Sequence, residues 1–300
     1  MQLHDLIPNP AATLAPWPDK PLHFHHDPGA YAGLLSLADV DDLIDNNCVA
    51  ARNIELAEDG NLIPRYVYTD GDMPQPGFIR RHLDRGGTVS LRRLHTVRPP
   101  IAALRAAVAR DTGADVHVNA YVTPGEQQGF RYHYDPYVTL IVQVHGRKAW
   151  PVHPPFVDNP VPEHDVYKPR GFTHTERVHL ANTAPAAEYV LEPGDVFWLP
   201  RGWIHAPHTV GEDTSVHLTF AVKERTLAWL IERIAGELTS QAYLDPALRA
   251  QIPIADLLGG PAPQVDRVRT YLHGALQLLD AETFARSVTT PTPLPETTSS

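Results

Sequence analysis

The sequence predicts a mainly β domain with flanking helices, built as a barrel around a ligand cavity and followed by a helical C-terminal region. Three observations carry that expectation. In 116–122, Val116, Val118, Ala120 and Val122 alternate with His117, Asn119 and Tyr121; in 215–222, Val216, Leu218, Phe220 and Val222 alternate with His217, Thr219 and Ala221. A polar face on a buried strand is costly unless it meets a partner, a ligand or water, and a barrel interior that holds a ligand accounts for both alternations at once. After Lys223 the period changes, with Leu227, Leu230, Ile231, Ile234 and Leu238 recurring at helical spacing.

Residues 1–35 are rich in Pro and His and read as an irregular arm around the core. Ser36-Leu37-Ala38-Asp39 has the form of a helix cap, with Leu37, Val40, Leu43 and Ile44 on one face and Asn46-Asn47 as the stop. Val49–Glu55 and Leu62–Tyr68 read as short strands around a Glu58–Asn61 turn. Gly71–Gly87 reads as a loop whose Arg80, Arg81 and Arg85 form a solvated face. A helix follows at Pro100–Arg110, stopped by Gly113. Asn159–Glu188 has little periodicity and reads as a long excursion, where specificity is expected to reside together with the N-terminal arm. Tyr271–Leu279 suggests a second C-terminal helix, and the final stretch SVTTPTPLPETTSS reads as disordered. The expected division is therefore 1–223 for the catalytic domain with its arm, 224–286 for a helical region, and 287–300 for a tail.

Composition narrows the classes. A net charge of −10 argues against a duplex nucleic-acid partner. The lone Cys48 excludes an internal disulfide framework and a cysteine-rich metal site. Neither a signal peptide nor a run of membrane-spanning length is evident, so a cytoplasmic protein is the expectation.

Of the 17 histidines, spacing singles out two. His133-x-Asp135 precedes the β-rich run Val138–Val144, and His205 follows Gly194-Asp195, a hydrophobic strand and a Pro200-Arg201-Gly202 turn. Two imidazoles and one carboxylate at strand ends match the facial triad that suits non-haem Fe(II) and leaves three positions open. His133-x-Asp135 alone would read as a surface strand end; His205 in its turn and Lys148 on the return strand shift the balance to a metal site. His145, His153, His164, His174 and His179 read as loop or strand-edge residues, while His208 is an alternative ligand and His217 a cavity wall. Arg131 reads as a surface residue, and Trp150, Trp198 and Trp203 as barrel packing, with Trp203 bordering the site.

The order Asn119-Ala120-Tyr121, Gly129-Phe130, His133-Tyr134-Asp135, Gly146-Arg147-Lys148, Pro154-Pro155, Gly194-Asp195, Pro200-Arg201-Gly202, His205 and His217-Leu218-Thr219 resembles the JmjC-type cupin oxygenases, in particular the ribosomal-oxygenase branch. The resemblance spans roughly residues 20–223. It implies a double-stranded β-helix, or jelly-roll, that binds Fe(II) through His133, Asp135 and His205 and uses 2-oxoglutarate and O2. Lys148 would pair with the distal carboxylate of 2-oxoglutarate, and Asn119 and Thr219 would line its pocket. Tyr121 joins them because it shares the face of Asn119. The implied reaction hydroxylates an amino-acid side chain in a protein or peptide, with succinate and CO2 as co-products; a ribosomal protein and a peptide natural-product precursor are both candidate substrates. The stretch after Lys223 suits a helical region that could form a homodimer, and is short for the winged helix of that branch. Lysyl demethylation by the same chemistry, a 2-oxoglutarate-independent metal cupin and a non-enzymatic jelly-roll binding module remain as alternatives.

Overall fold

A computed structural model describes residues 1–75, 77–164 and 171–289. The chain divides into two units, one through Glu224 and one from Arg225 onward. The strands of the first unit, in order, are β1 (Leu22–His25), β2 (Ile54–Glu58), β3 (Asn61–Ile63), β4 (Thr69–Asp70), β5 (Met73–Pro74), β6 (Thr88–Leu91), β7 (Asp115–Thr123), β8 (Val138–His145), β9 (Arg147–His153), β10 (Ala187–Leu191), β11 (Asp195–Leu199), β12 (Ile204–His205), β13 (His208–Val210) and β14 (Ser215–Lys223). Its helices are α1 (Pro10–Thr13), α2 (Leu37–Asp45), α3 (Phe78–Asp84), α4 (Pro99–Thr112) and α5 (His174–Asn182).

Eight strands form one antiparallel sheet in the order β1-β11-β8-β14-β7-β6-β2-β3, and β10, β9 and β12 form a second, with β13 also pairing β9. Together they make the jelly-roll. The two alternating stretches are neighbours in the larger sheet, where β14 pairs β7 with Thr219 opposite Asn119 and His217 opposite Tyr121. Their apolar faces belong to the main core. Val116, Val118, Ala120, Val216, Leu218, Phe220 and Val222 are fully buried there with Val40, Ile101 and Leu104 of the covering helices. The opposite face looks into the roll, where Ile141, Phe197 and Leu199 meet Trp150, Val152 and Leu191 of the smaller sheet. A sheet covered on both faces can keep polar side chains only where the interior supplies partners or a ligand.

Local signals explain most of the helices. Ser36 accepts the Asp39 N–H and Asp39 returns a carboxylate to the Ser36 N–H, a capping box that starts α2. Pro99 opens α4, and Gly113, in the left-handed region, ends it. Several expectations are corrected. The first predicted strand begins only at Ile54 because Ala51–Asn53 forms a 3-10 turn, and the second ends at Ile63 before another at Arg65–Val67. Gly71–Gly87 contains α3, which Arg80 ties to α2 through Asp41 (2.8 Å) and Asp45 (3.1 Å). The 159–188 excursion contains α5, started by a capping box between Thr173 and Glu176. The N-terminal arm supplies β1, an edge strand of the larger sheet.

The second unit holds α6 (Leu227–Ala242), α7 (Ile254–Gly259), α8 (Ala262–Leu278) and α9 (Ala281–Thr289). The Thr226 hydroxyl accepts the Trp229 N–H to cap α6, and the Tyr271 hydroxyl donates to the Leu238 carbonyl at 2.7 Å, joining α8 to α6. The tail expected from residue 287 begins within α9, and its remainder lies outside the described residues. Among the described residues no helix is long and apolar enough to cross a membrane.

Candidate active site

His133 and His205 face each other across a single antiparallel bridge. The His133 N–H donates to the His205 carbonyl at 3.0 Å, and the His205 N–H donates to the His133 carbonyl at 2.8 Å. The Gly202 N–H donates to the Asp135 carbonyl at 2.9 Å, so the Pro200-Arg201-Gly202 turn is tied to the strand end that carries the carboxylate. Gly202 has φ 84°, a conformation that glycine adopts without steric cost. Two segments distant in sequence are thereby fixed in register by their backbones.

The side chains then converge. The imidazole centroids of His133 and His205 are 4.2 Å apart. Each Nδ1 lies within hydrogen-bond distance of the carbonyl two residues earlier, Arg131 at 2.8 Å and Trp203 at 2.9 Å. With Nδ1 as the donor, Nε2 carries the lone pair, the tautomer a metal ligand requires. Asp135 Oδ2 is 3.9 Å from His205 Nε2 and accepts the Thr139 hydroxyl at 3.2 Å. One ligand atom from each of His133, Asp135 and His205 lies within 4.8 Å of the others. Burial first, and His133 second, hold the His205 imidazole well below its ordinary pKa, in the neutral form that ligates. The Tyr137 phenol is held far above its ordinary range, by the charge of Asp135 and then by burial, and so stays protonated beside the carboxylate.

Deeper in the roll, Lys148 on β9 is 1% exposed, and its Nζ donates to the Thr123 hydroxyl at 2.8 Å. Among the described residues no carboxylate pairs with it, and burial alone pulls its pKa down to about 7. An ammonium buried against one hydroxyl is costly on its own and well suited to an anionic ligand. Thr219 and Asn119 are buried side by side on β14 and β7. Asn119 Oδ1 accepts the Arg93 N–H at 3.0 Å. Tyr121 stacks on His217 with ring centroids 5.0 Å apart and planes 9° from parallel. Trp150 spans the space between His205 (5.6 Å) and His217 (5.3 Å). Trp150 Nε1, His217 Nδ1 and Gln143 Oε1 are buried without a hydrogen-bond partner among the described residues. An interior with a basic end, orphaned polar atoms and three metal-type donors fits a small dianion bound beside a metal.

The structure thus brings together His133, Asp135 and His205, and lines the interior with Asn119, Tyr121 and Thr219 from the larger sheet and Lys148 from the smaller. His208 sits on β13 opposite Ala149, outside the donor group. The Trp203 carbonyl borders the site through His205. Sequence reasoning passed over Thr123, which continues the 117-119-121 parity by one more step, and Thr139, which follows Asp135 by one helical-type spacing but acts from a strand. It also passed over Tyr137.

Comparison with known proteins gives this geometry its class. A JmjC domain matches residues 96–230. This chain therefore carries a JmjC domain within a cupin jelly-roll. It is 30% identical over 230 residues to the bifunctional lysine-specific demethylase and histidyl-hydroxylase NO66 of Culex quinquefasciatus, covering 75% of this chain and 34% of that one. It is 27% identical over 256 residues to ribosomal oxygenase 2 of Rattus norvegicus, covering 82% of this chain and 52% of that one. The chain therefore spans about a third to a half of these relatives. The fold is also that of the Escherichia coli ribosomal oxygenase YcfD, solved with cobalt and 2-oxoglutarate, with a TM-score of 0.58 at 16% identity over 94% of this chain and 70% of that one.

Proposed function

We propose that this protein is an Fe(II)- and 2-oxoglutarate-dependent oxygenase that hydroxylates an amino-acid side chain in a protein or peptide. The observation that carries the reading is the pairing of two elements in one interior: the His133, Asp135 and His205 donor set, and a buried Lys148 whose only hydrogen-bond partner among the described residues is the Thr123 hydroxyl. The three donors suit Fe(II), and with 2-oxoglutarate and O2 the bound iron supplies the oxidant that hydroxylates an unactivated C–H bond.

The chain's own residues have separable tasks. His133 and His205 present Nε2 because the Arg131 and Trp203 carbonyls engage Nδ1. Thr139 and Tyr137 orient Asp135 and share its charge. Lys148 and Thr123 hold the distal carboxylate of 2-oxoglutarate, with Asn119 and Thr219 alongside as a polar wall. Tyr121, His217 and Trp150 close the cavity with flat surfaces that exclude water.

The substrate reading rests on a groove beside the triad. A groove of about 310 Å³, lined by Arg131, Tyr132, Phe172, Arg177 and Leu180, adjoins His133 through Arg131. It combines residues before the triad with α5 of the 159–188 excursion, and its mixed aromatic and basic lining suits a peptide segment. The exposed apolar residues Leu227, Ile231, Leu258 and Leu272 of the helical unit support pairing with a second copy.

Incubation with Fe(II), 2-oxoglutarate and candidate peptides tests the reading: succinate should form together with a peptide heavier by one oxygen, and His133→Ala and Asp135→Ala should each abolish both while keeping the far-UV circular dichroism. Undiminished turnover in both variants would contradict it. The name of the NO66 relative favours one second reading, lysyl demethylation, which formaldehyde release from N-methylated peptides separates from hydroxylation.

A further inference from the structure

A second set of metal-type donors lies away from the triad, at the edge of the larger sheet. His23 and His25 are alternate residues of β1 and so share a face, and β1 pairs antiparallel with β11 so that His25 is opposite Asp195. One ligand atom from each of His23, His25 and Asp195 lies within 4.8 Å of the others. His25 Nδ1 is 2.8 Å from Asp195 Oδ1, and His23 Nε2 is 3.0 Å from Asp195 Oδ2. The imidazole centroids are 4.2 Å apart. Asp195 begins β11, and the triad-side residue Thr139 pairs with Leu199 at its other end, so the two donor sets occupy opposite ends of that strand.

The contacts within this set are unequal. His25 makes a well-directed hydrogen bond to Asp195. His23 Nε2 is buried 3.0 Å from the other carboxylate oxygen and has no well-aligned hydrogen-bond partner among the described residues. Two imidazoles and a carboxylate with ligand atoms this close together can serve as neighbouring ligands of one ion. Asp195 is positioned by its backbone: its Oδ2 also accepts the Glu192 N–H at 2.9 Å, and the preceding Gly194 receives the His26 N–H at 3.2 Å. Tyr189 and Phe197 pack edge-on against His23 and fix its ring. The His25 side chain is 74% exposed, which gives an ion a path from solvent and room for a water ligand.

We infer that His23, His25 and Asp195 form a second divalent transition-metal site, suited to Zn²⁺ with water as a fourth ligand, that clamps the edge strand β1 to β11. Two imidazoles and a carboxylate are zinc-type donors, and an edge strand hydrogen-bonded on one side gains most from such a tie. In the metal-free state the His25 Nδ1–H bridges two of the donors; with an ion in its place, the neutral imidazole carries its proton on Nε2 instead.

Equilibrium dialysis of the full chain against Zn²⁺ tests this, with ion content measured per protein. Wild type should retain two equivalents, His133→Ala/His205→Ala one, His23→Ala/His25→Ala one, and the fourfold variant none. The exposed His25→Gln, which leaves the buried part of the cluster intact, should also lose one equivalent without altering the far-UV circular dichroism. In the His133→Ala/His205→Ala background Zn²⁺ should raise the Tm, and adding His25→Gln should remove that shift. Loss of all bound zinc in His133→Ala/His205→Ala, or retention of two equivalents in His25→Gln, would overturn the second site and show the cluster to be a hydrogen-bonded clasp; the triad reading would be untouched by either result.

Discussion

The Lys148 ammonium donates to the Thr123 hydroxyl at 2.8 Å, and that hydroxyl is its partner inside the jelly-roll. The two residues sit on different sheets, β9 in the smaller and β7 in the larger, so the basic end of the cavity exists only once the roll has closed. Because burial lowers the Lys148 pKa to about 7, the ammonium is only partly protonated at neutral pH before a dianion arrives. Binding 2-oxoglutarate then draws a proton onto Lys148. Its affinity should be level below pH 7 and fall by about tenfold per pH unit above it. Isothermal titration across pH 6 to 9 checks this, and Lys148→Met should bind weakly with no such slope.

The same burial has a stability consequence of opposite sense. The folded pKa of Lys148 lies below its unfolded value of 10.5, so the unfolded chain binds more protons between pH 10.5 and about 7, and stability is lost as pH falls through that window. Lys148→Met should therefore stabilise the cosubstrate-free protein by roughly 1–4 kcal/mol near pH 7 while removing activity. Denaturant unfolding of the two proteins measures it; a destabilised variant would show that Lys148 has a folded-state partner stronger than Thr123.

Thr139 offers a test of how Asp135 is oriented. Its hydroxyl donates to Asp135 Oδ2 at 3.2 Å, and valine preserves the shape without the donor. Thr139→Val should lower Fe(II) affinity by about 10- to 100-fold, as loss of an outer hydrogen bond to a ligand does, with little change in Tm. Metal titration followed by activity at saturating iron separates this from a folding defect.

Gly194 tests the attachment of the edge strand. It has φ 96°, and a Cβ there would lie 2.6 Å from the Asp27 carbonyl oxygen and 2.7 Å from that of His26. Gly194→Ala should destabilise the β domain by roughly 2–4 kcal/mol, read as a lowered midpoint in denaturant, and should loosen β1 before the rest of the sheet in hydrogen exchange.

Much of the site was legible in the sequence because its parts are written locally. His133-x-Asp135 needs one strand end, His205 needs one turn, and the polar faces at 117–121 and 217–219 follow from strand parity. Thr123 lay on that same parity, but no local feature marks the last residue of a strand as the partner of a lysine on another sheet. β1, Leu22-His23-Phe24-His25, does alternate apolar and polar residues, but four residues inside a Pro- and His-rich arm are too short a run to stand out as a strand. α3 was hidden by flanking Pro74 and Gly77, whereas α5 carried a legible capping box at Thr173 and Glu176 within a stretch of weak amphipathicity. The triad and the lysine come from sequence patterns; their shared cavity comes from the pairing of β14 with β7 and the closure of the smaller sheet over them.

The most direct measurement is anaerobic. Fe(II) and then 2-oxoglutarate are added to apo-protein, and the visible region is watched for the weak charge-transfer absorption of an iron-chelated keto acid. The account predicts that the band appears in wild type, is lost in His205→Ala, and needs far more 2-oxoglutarate in Lys148→Met. Iron binding without the band in wild type, or an undiminished band in His205→Ala, would contradict it.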